Sequence, residues 1–327
     1  MATVGVDLGG TKIAAALVDD VGRVSLRRET ATPSAEGAAR VVEQCLLLIE
    51  SVIGDASRTG IPVDRIGIGA AGVIDSSTGT VISATDTVPG WRGTELARHV
   101  RERTGLPVAI LNDVHAHALG ECWIGGGRDH GSVLLVAVGT GVGGAYVVDG
   151  ELLAGAHGFG GHLGHIVSPE AGDLACTCGG RGHLEAIASG PSLHAEFLRR
   201  GGDPAVRSAR ELLELVELVE GGGGSGPGDL ARDVVGLAAI AVGRVVGGLI
   251  NTLDPDAVIV GGGVARPGTH WWREMVAAAA GETLLPLERY AVLAPALGAD
   301  SAIVGGARFA MQNRGMQNRG MQTRGMP

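Results

Sequence analysis

Aromatic side chains are scarce in this 327-residue chain, where Phe, Tyr and Trp together make up 3%. Its core must therefore be built from Ala, Val, Leu and Ile. Basic clusters are missing before the very C-terminus, and the net charge is −9. That argues against a nucleic-acid partner, because a phosphate backbone needs cationic surface. The four cysteines, two of them in one Cys-x-Cys pair, do not make a disulfide framework. They point to a reducing cytoplasm, with Cys45 and Cys122 as inert core thiols in helical segments. No apolar run is expected to span a membrane, since Arg244 and several glycines interrupt the longest candidate, Leu230 to Leu253. No secretory leader is expected either, because Val4 to Leu8 is already strand-like and ends in Asp7 and a glycine turn.

Glycine, by contrast, is abundant: 57 residues, most of them set between short β-branched runs. Thr3 to Leu8 reads as a strand, Gly9-Gly10-Thr11-Lys12 as a turn, Ile13 to Val18 as a strand, and Asp19 to Gly22 as an acidic turn. Val133 to Val138, Gly139 to Gly144, Ala145 to Val148 and Asp149-Gly150 repeat that plan. The repeat predicts an internal duplication, one copy heading each half of the chain. Neither glycine turn matches G-x-x-x-x-G-K-[ST] or feeds directly into a helix, so both are predicted to be hairpin turns. Elsewhere helical segments (Glu36 to Ile53, Gly93 to Thr104, Ala116 to Ile124, Leu230 to Leu253) alternate with strands (Arg65 to Ala70, Val108 to Leu111, Ala257 to Val260). That alternation is α/β architecture, and the length suffices for two domains. Gly221 to Gly228 reads as a flexible loop, with Asp229 placed to cap the long helix after it. The MQNRG repeat of the tail has little capacity to form a core.

Glycine turns let the backbone approach a ligand and free successive N–H groups to face anionic oxygens. Thr11 and Thr140 add hydroxyls at matching positions, and Lys12 adds a cation. Two such turns facing each other would hold a polyphosphate, and Asp7 could position the magnesium that accompanies ATP. Either turn alone reads first as an ordinary tight hairpin; the matched pair favours phosphate. Asn112-Asp113 closes a buried strand, where α/β proteins place ligands. Asp113 could take a proton from a hydroxyl while Asn112 orients the substrate. Taken by itself, the pair reads first as the opening of the next helix. Further on, Cys176 and Cys178 are flanked by His165 and His183 in GHIVSPEAGDLACTCGGRGHLE. Two thiolates and two imidazoles suit a tetrahedral zinc ion. His162 and Glu185 lie beside this segment, which could stiffen the wall of a binding site.

Taken in order, six motifs resemble those of the ROK family of sugar kinases and repressors, and most closely its bacterial glucokinases. They are Asp7-Leu8-Gly9-Gly10-Thr11-Lys12, Leu111-Asn112-Asp113, Gly139-Thr140-Gly141-Val142-Gly143-Gly144, Gly164-His165, Cys176-Thr177-Cys178-Gly179 and Gly261-Gly262-Gly263. The resemblance runs from residue 5 to about residue 309. It implies an actin-like, hexokinase-type duplicated fold of two α/β domains with a cleft between them. The small domain would be residues 1–113 plus about 305–327, and the large one 114–304, carrying the zinc segment 165–183. The resemblance implies that Asp113 is the general base on a hexose 6-hydroxyl. Sugar contacts would come from Asn112, His162, His165, Glu185 and backbone near Gly69 and Gly72. Phosphates of ATP would lie on Gly9, Gly10, Thr11, Lys12, Gly139, Thr140, Gly141 and Gly143, with Mg2+ near Asp7. Gly261, Gly262 and Gly263 would approach the adenosine. A structural Zn2+ and a homodimer or higher homo-oligomer complete the expectation.

Three positions depart from the family pattern. His183 stands where the zinc segment C-x-C-G-x-x-G-C-x-E has its third cysteine, and it keeps a zinc-binding donor. His162 replaces a glutamate that accepts hydrogen bonds from sugar hydroxyls. Thr87 replaces an asparagine four residues before Trp91. Neutral imidazole accepts at one nitrogen and donates at the other. The acceptor is therefore expected to be either glucose, held by one contact fewer, or an amino sugar such as 3-amino-3-deoxyglucose (kanosamine) of an antibiotic pathway. A repressor of the family would carry an N-terminal helix-turn-helix, for which a strand beginning by residue 3 leaves no room. A catalytically silent sugar-binding protein is the other alternative.

Overall fold

The computed structural model describes residues 2–84, 88–219 and 227–313. Thr87, the glycines of 221–224 and the repeat tail from residue 314 lie outside the described residues. In chain order the chain forms β1 (Ala2–Leu8), β2 (Lys12–Val18), β3 (Val24–Ala31), α1 (Ala38–Arg58), β4 (Val63–Ala70), β5 (Val73–Asp75) and β6 (Thr80–Ser83). Next come α2 (Leu96–Thr104), β7 (Val108–Asn112), α3 (Asp113–Ile124), β8 (Ser132–Val138), β9 (Val142–Val148) and β10 (Glu151–Leu152). The remainder is α4 (Glu185–Ala188), α5 (Gly190–Arg199), α6 (Ala209–Val219), α7 (Pro227–Leu253), β11 (Ala257–Gly261), α8 (His270–Glu282), β12 (Ala291–Leu293) and α9 (Ser301–Gln312). The expected α/β alternation is present, and the strands begin and end within a few residues of the predicted ones.

Two five-stranded sheets share one strand order: β3-β2-β1-β4-β7 in the first and β10-β9-β8-β11-β12 in the second. Each begins with a hairpin edge and continues with two parallel strands, β4 and β7 in one case, β11 and β12 in the other. This matches the duplication read from the two glycine turns. The second glycine turn is shorter than expected, because β9 resumes at Val142 and takes Gly143 and Gly144 into the strand.

The chain divides into two units. The first comprises residues up to Asp129, Tyr146–Gly160 and those from Ala296 onward; the second is His130–Ala145 and Gly161–Pro295. The expected boundaries at 113/114 and about 304/305 are corrected by packing. Helix α3 lies on α9, so the chain leaves the first unit only after both helix α3 and its following turn. In this unit β1 is buried almost throughout, as a strand covered on both faces must be. Val41, Cys45, Ile49 and Val52 of α1, at helical spacing, cover one face. On the other face Ile303 and Ala307 of α9 meet Ala14, Ala16 and Val18. Carbonyls of Ile303 and Gly306 occupy the space that β-carbons on Gly5 and Gly67 would need, so the helix rests on bare backbone.

The second unit is built around α7, which packs on α8, α6 and α5. The expectation that no run could span a membrane is corrected: Gly228–Leu253 is long and apolar enough by length and composition. Its charges, Asp229, Arg232 and Asp233 near the start and Arg244 further on, and its glycines reduce apolarity less than expected, and 61% of the apolar stretch is buried inside the protein. It is the core helix of this unit. Asp229 lies in its first turn and not at its cap, because the helix starts at Pro227. As the composition required, aliphatic residues dominate the core, and among the described residues Trp271 and Phe197 are the large aromatics in the most buried set. Burial pushes the thiols of Cys45 and Cys122 up to about 12, which makes both unreactive.

Glu121, fully buried on α3, fastens the first unit together. Its carboxylate accepts from Ala296 N (2.9 Å), Leu297 N (3.0 Å), Gly126 N (3.0 Å) and Ser301 Oγ (2.7 Å). Burial alone would raise its pKa, but these four donors outweigh it and hold the carboxyl below the usual range. Glu121→Gln places an amide donor among donors. It is expected to lower unfolding free energy by about 2–4 kcal/mol, measured by urea denaturation at neutral pH.

Candidate functional site

The candidate residues form two groups, one on each unit. In the first unit, strand register builds the group. Asp7 pairs with Gly69, and Gly69 with Leu111, so the C-terminal ends of β1, β4 and β7 are level. Asn112 ends β7 with extended backbone and caps α3: its Oδ1 accepts from Val114 N (2.9 Å) and His115 N (3.1 Å). Its Nδ2 donates to Gly72 O (3.0 Å) and to Asp113 Oδ1 (2.8 Å). An amide has two donor hydrogens and two acceptor lone pairs, so the protein itself uses all four. Asn112 therefore orients Asp113 as well as capping the helix. Gly69 lies under α3; a β-carbon there would press on Ala116 at 2.7 Å.

Asp113 is partly buried at the first position of α3. Burial raises its pKa, and bonds from Val114 N and Asn112 only partly counter that. Asp7 is pushed up to about 6, first by burial and then by the charge of Asp113, against the pull of Lys12 and Arg27. The two carboxylates thus repel each other, which is how a divalent cation is invited. Lys12 itself sits 3.5 Å from Glu29 in an exposed ion pair, a use the sequence reading did not expect. The first glycine turn closes through Gly9 N donating to Lys12 O (3.0 Å). Thr32 and Ser34 hold the carbonyls of Gly9 and Gly10 from behind, and Thr11 O accepts from Thr32 N.

In the second unit the turn after β8 is pinned at three places. Gly139 N donates to Gly141 O (2.9 Å), Gly190 N to Gly139 O (2.8 Å), and Val142 N to Glu185 Oε2 (2.9 Å). Gly261 ends β11, and Gly262, with φ +103°, brings the following backbone against β8, where Val264 N donates to Val138 O (3.1 Å). The glycines at 139–141 and 261–263 therefore adjoin. The ligand atoms of His165, Cys176, Cys178 and His183 all lie within 4.8 Å of one another. Cys176 Sγ is 3.7 Å from His165 Nδ1 and Cys178 Sγ 3.2 Å from His183 Nδ1. Bonds of about 2.3 Å to sulfur and 2.0 Å to nitrogen require separations near these, so the set fits zinc. Burial holds His165 below the usual range, in the neutral form that binds metal. His162 stacks on His165, with ring centroids 6.5 Å apart and planes 21° from parallel.

Several residues were missed by the sequence reading. His115 is buried, and its Nε2 lies 2.7 Å from Gly160 O. His117 carries a buried Nε2 without a hydrogen-bond partner. Asp113, His117 and Glu121 recur at four-residue spacing on α3, a signal visible in the sequence. Thr177 donates to Glu185 Oε1 (2.7 Å), so both oxygens of Glu185 are engaged by the protein.

The sequence model of the ROK family matches residues 3–313. A glucokinase of Thermotoga maritima is 33% identical over 95% of this chain and 98% of its own length. The crystal structure of a ROK family glucokinase from Streptomyces griseus, in complex with glucose and AMPPNP, is similar at a TM-score of 0.76 and 32% identity. That match covers 95% of this chain and 100% of the other. A ROK hexokinase from Thermus thermophilus gives a TM-score of 0.78 at 32% identity, over 95% and 98% of the two chains.

Asp7 supplies a pH test. Its folded pKa exceeds its unfolded value, so the folded state binds the extra proton between about pH 4 and 6. This group's contribution is favourable below that window and is lost as pH rises through it. Asp7→Asn should therefore stabilise the ligand-free protein at about pH 7.5 by up to about 3 kcal/mol and have little effect near pH 4. Thermal melts at the two pH values check this.

Proposed function

This chain belongs to the ROK family and is an ATP-dependent sugar kinase, and we propose that it phosphorylates the 6-hydroxyl of a glucose-type hexose with Asp113 as general base. The observation that carries this is the binding of the Asp113 carboxylate. Asn112 Nδ2 and Val114 N both donate to Oδ1. We therefore assign proton removal from the sugar hydroxyl to Oδ2. The raised pKa makes that oxygen a stronger base than an ordinary carboxylate.

The glycine turns at Gly9–Thr11 and Gly139–Gly143 are proposed to hold the ATP phosphates, and Gly261–Gly263 to approach the adenosine. Asp7 is the proposed holder of Mg2+, which would neutralise charge developing on the phosphoryl oxygens. Glu185 and His162 are proposed as sugar contacts. Each Glu185 oxygen retains a lone pair beyond its protein bond. Zinc at His165, Cys176, Cys178 and His183 would be structural, since four protein ligands leave no open position. The relatives named above favour glucose over the amino sugar that His162 suggested, and the stacking of His162 on His165 gives its ring a use apart from the acceptor. The family resemblance also implies a homo-oligomer, which light scattering of the full chain checks.

Asp113→Asn should keep the shape and lower kcat by about 10²–10⁴-fold, with hexose affinity retained, in a coupled ADP-release assay. Unchanged turnover would remove the base assignment. In the same assay with MgATP, glucose should give a higher kcat/KM than mannose, 2-aminoglucose or 3-aminoglucose. A clear preference for 3-aminoglucose would overturn the acceptor.

A further inference from the structure

We propose that the Thr177 hydroxyl is a positioning group that couples the metal loop to the Gly139–Gly141 turn, with Glu185 as the connecting strut. The proposal rests on the reading of that turn as a nucleotide-phosphate site and of the four-residue cluster as a zinc site.

Thr177 stands between Cys176 and Cys178, so the backbone that carries its hydroxyl is the backbone a bound metal would hold. Within this loop Cys176 N donates to Gly180 O (2.8 Å) and Gly179 N to Cys176 O (3.0 Å), which folds the loop back on itself. The Thr177 hydroxyl leaves the loop and donates to Glu185 Oε1 at 2.7 Å. The other oxygen, Oε2, accepts from Val142 N at 2.9 Å, where the glycine turn becomes β9. One carboxylate thus bridges the two segments, with one oxygen on each. Its backbone is also fixed, because Ser192 Oγ donates to Glu185 O at 2.9 Å.

The turn is shaped to receive this carboxylate. A β-carbon on Gly141 would stand 2.8 Å from Glu185 Oε2, so a residue other than glycine would displace the strut or the turn. A bond from a neutral donor to a carboxylate is stronger than one between neutral groups. Holding both oxygens leaves the side chain a single orientation. Without the hydroxyl, Glu185 keeps only the Val142 bond and can swing, and the N–H groups of the turn lose a fixed aim. Thr177 is exposed, so its replacement disturbs no core.

The test uses the full-length, zinc-loaded chain. Zinc content is measured by atomic absorption, and affinity for Mg·AMPPNP by calorimetry. Thr177→Val should retain its zinc yet bind Mg·AMPPNP about three- to tenfold more weakly. Thr177→Ser, which keeps the hydroxyl, should restore wild-type affinity. Chelation of wild type should weaken nucleotide binding by a similar factor, and chelation of Thr177→Val should add little to the loss already present. Wild-type affinity in zinc-loaded Thr177→Val, or losses from chelation and substitution that simply multiply, would overturn the coupling. A wild-type chain that binds no zinc or no Mg·AMPPNP would overturn the underlying reading and the coupling with it.

Discussion

The general-base role proposed for Asp113 depends on holding one carboxylate still without spending its basicity. Asp113 is oriented by groups that also have other duties. Asn112 caps α3 with its oxygen, reaches Gly72 with one hydrogen and fixes Asp113 with the other. A cation against Asp113 would orient it more firmly, but it would also lower the pKa and weaken the base. The balance found is the reverse: burial outweighs the stabilising hydrogen bonds, and the nearby charge of Asp7 has the same sign. Lys12, which could have neutralised this pair, is engaged with Glu29 at an exposed position, where its effect is weak.

The shared strand order of the two sheets shows what the duplication conserved and what it left free to differ. Both copies present the C-terminal ends of parallel strands, the place where α/β folds gather ligands. The ends are furnished differently. In the first unit carboxylates stand there, Asp7 on β1 and Asp113 just after β7. In the second unit glycine backbone stands there, after β8 and after β11, and the carboxylate comes from outside the sheet, on α4. Bare N–H groups suit anionic phosphates, and paired carboxylates suit a proton and a cation. One architecture thus offers two complementary kinds of surface.

Much of this could be read from the residues before any coordinates, for a physical reason. Glycine turns, β-branched runs and a Cys/His cluster are local signals, and each formed where its spacing placed it. The unit boundary was less legible, because Asp113 looks like a junction when it is only the start of α3. What keeps that helix in the first unit is tertiary: Glu121 bonds to residues 296, 297 and 301, far along the chain. The roles of Asn112, Lys12 and Glu185 were also only half legible. The sequence shows that a polar side chain is present, but the fold decides which of its hydrogen-bonding positions the protein has already taken.

His162 illustrates that limit in the opposite direction. As a substitution for a carboxylate it reads as a change of substrate, since imidazole offers a donor where only an acceptor stood. In the fold its ring lies against His165, itself a member of the metal cluster, and His165 adjoins His183 at 5.5 Å between centroids. A ring stacked in this way is held by packing, so its identity bears on the Cys/His loop as well as on the proposed sugar contact. The same loop, through Thr177, engages the carboxylate that borders the glycine turn. His162, stacked on His165, and Thr177, bonded to Glu185, therefore both border the Cys/His loop.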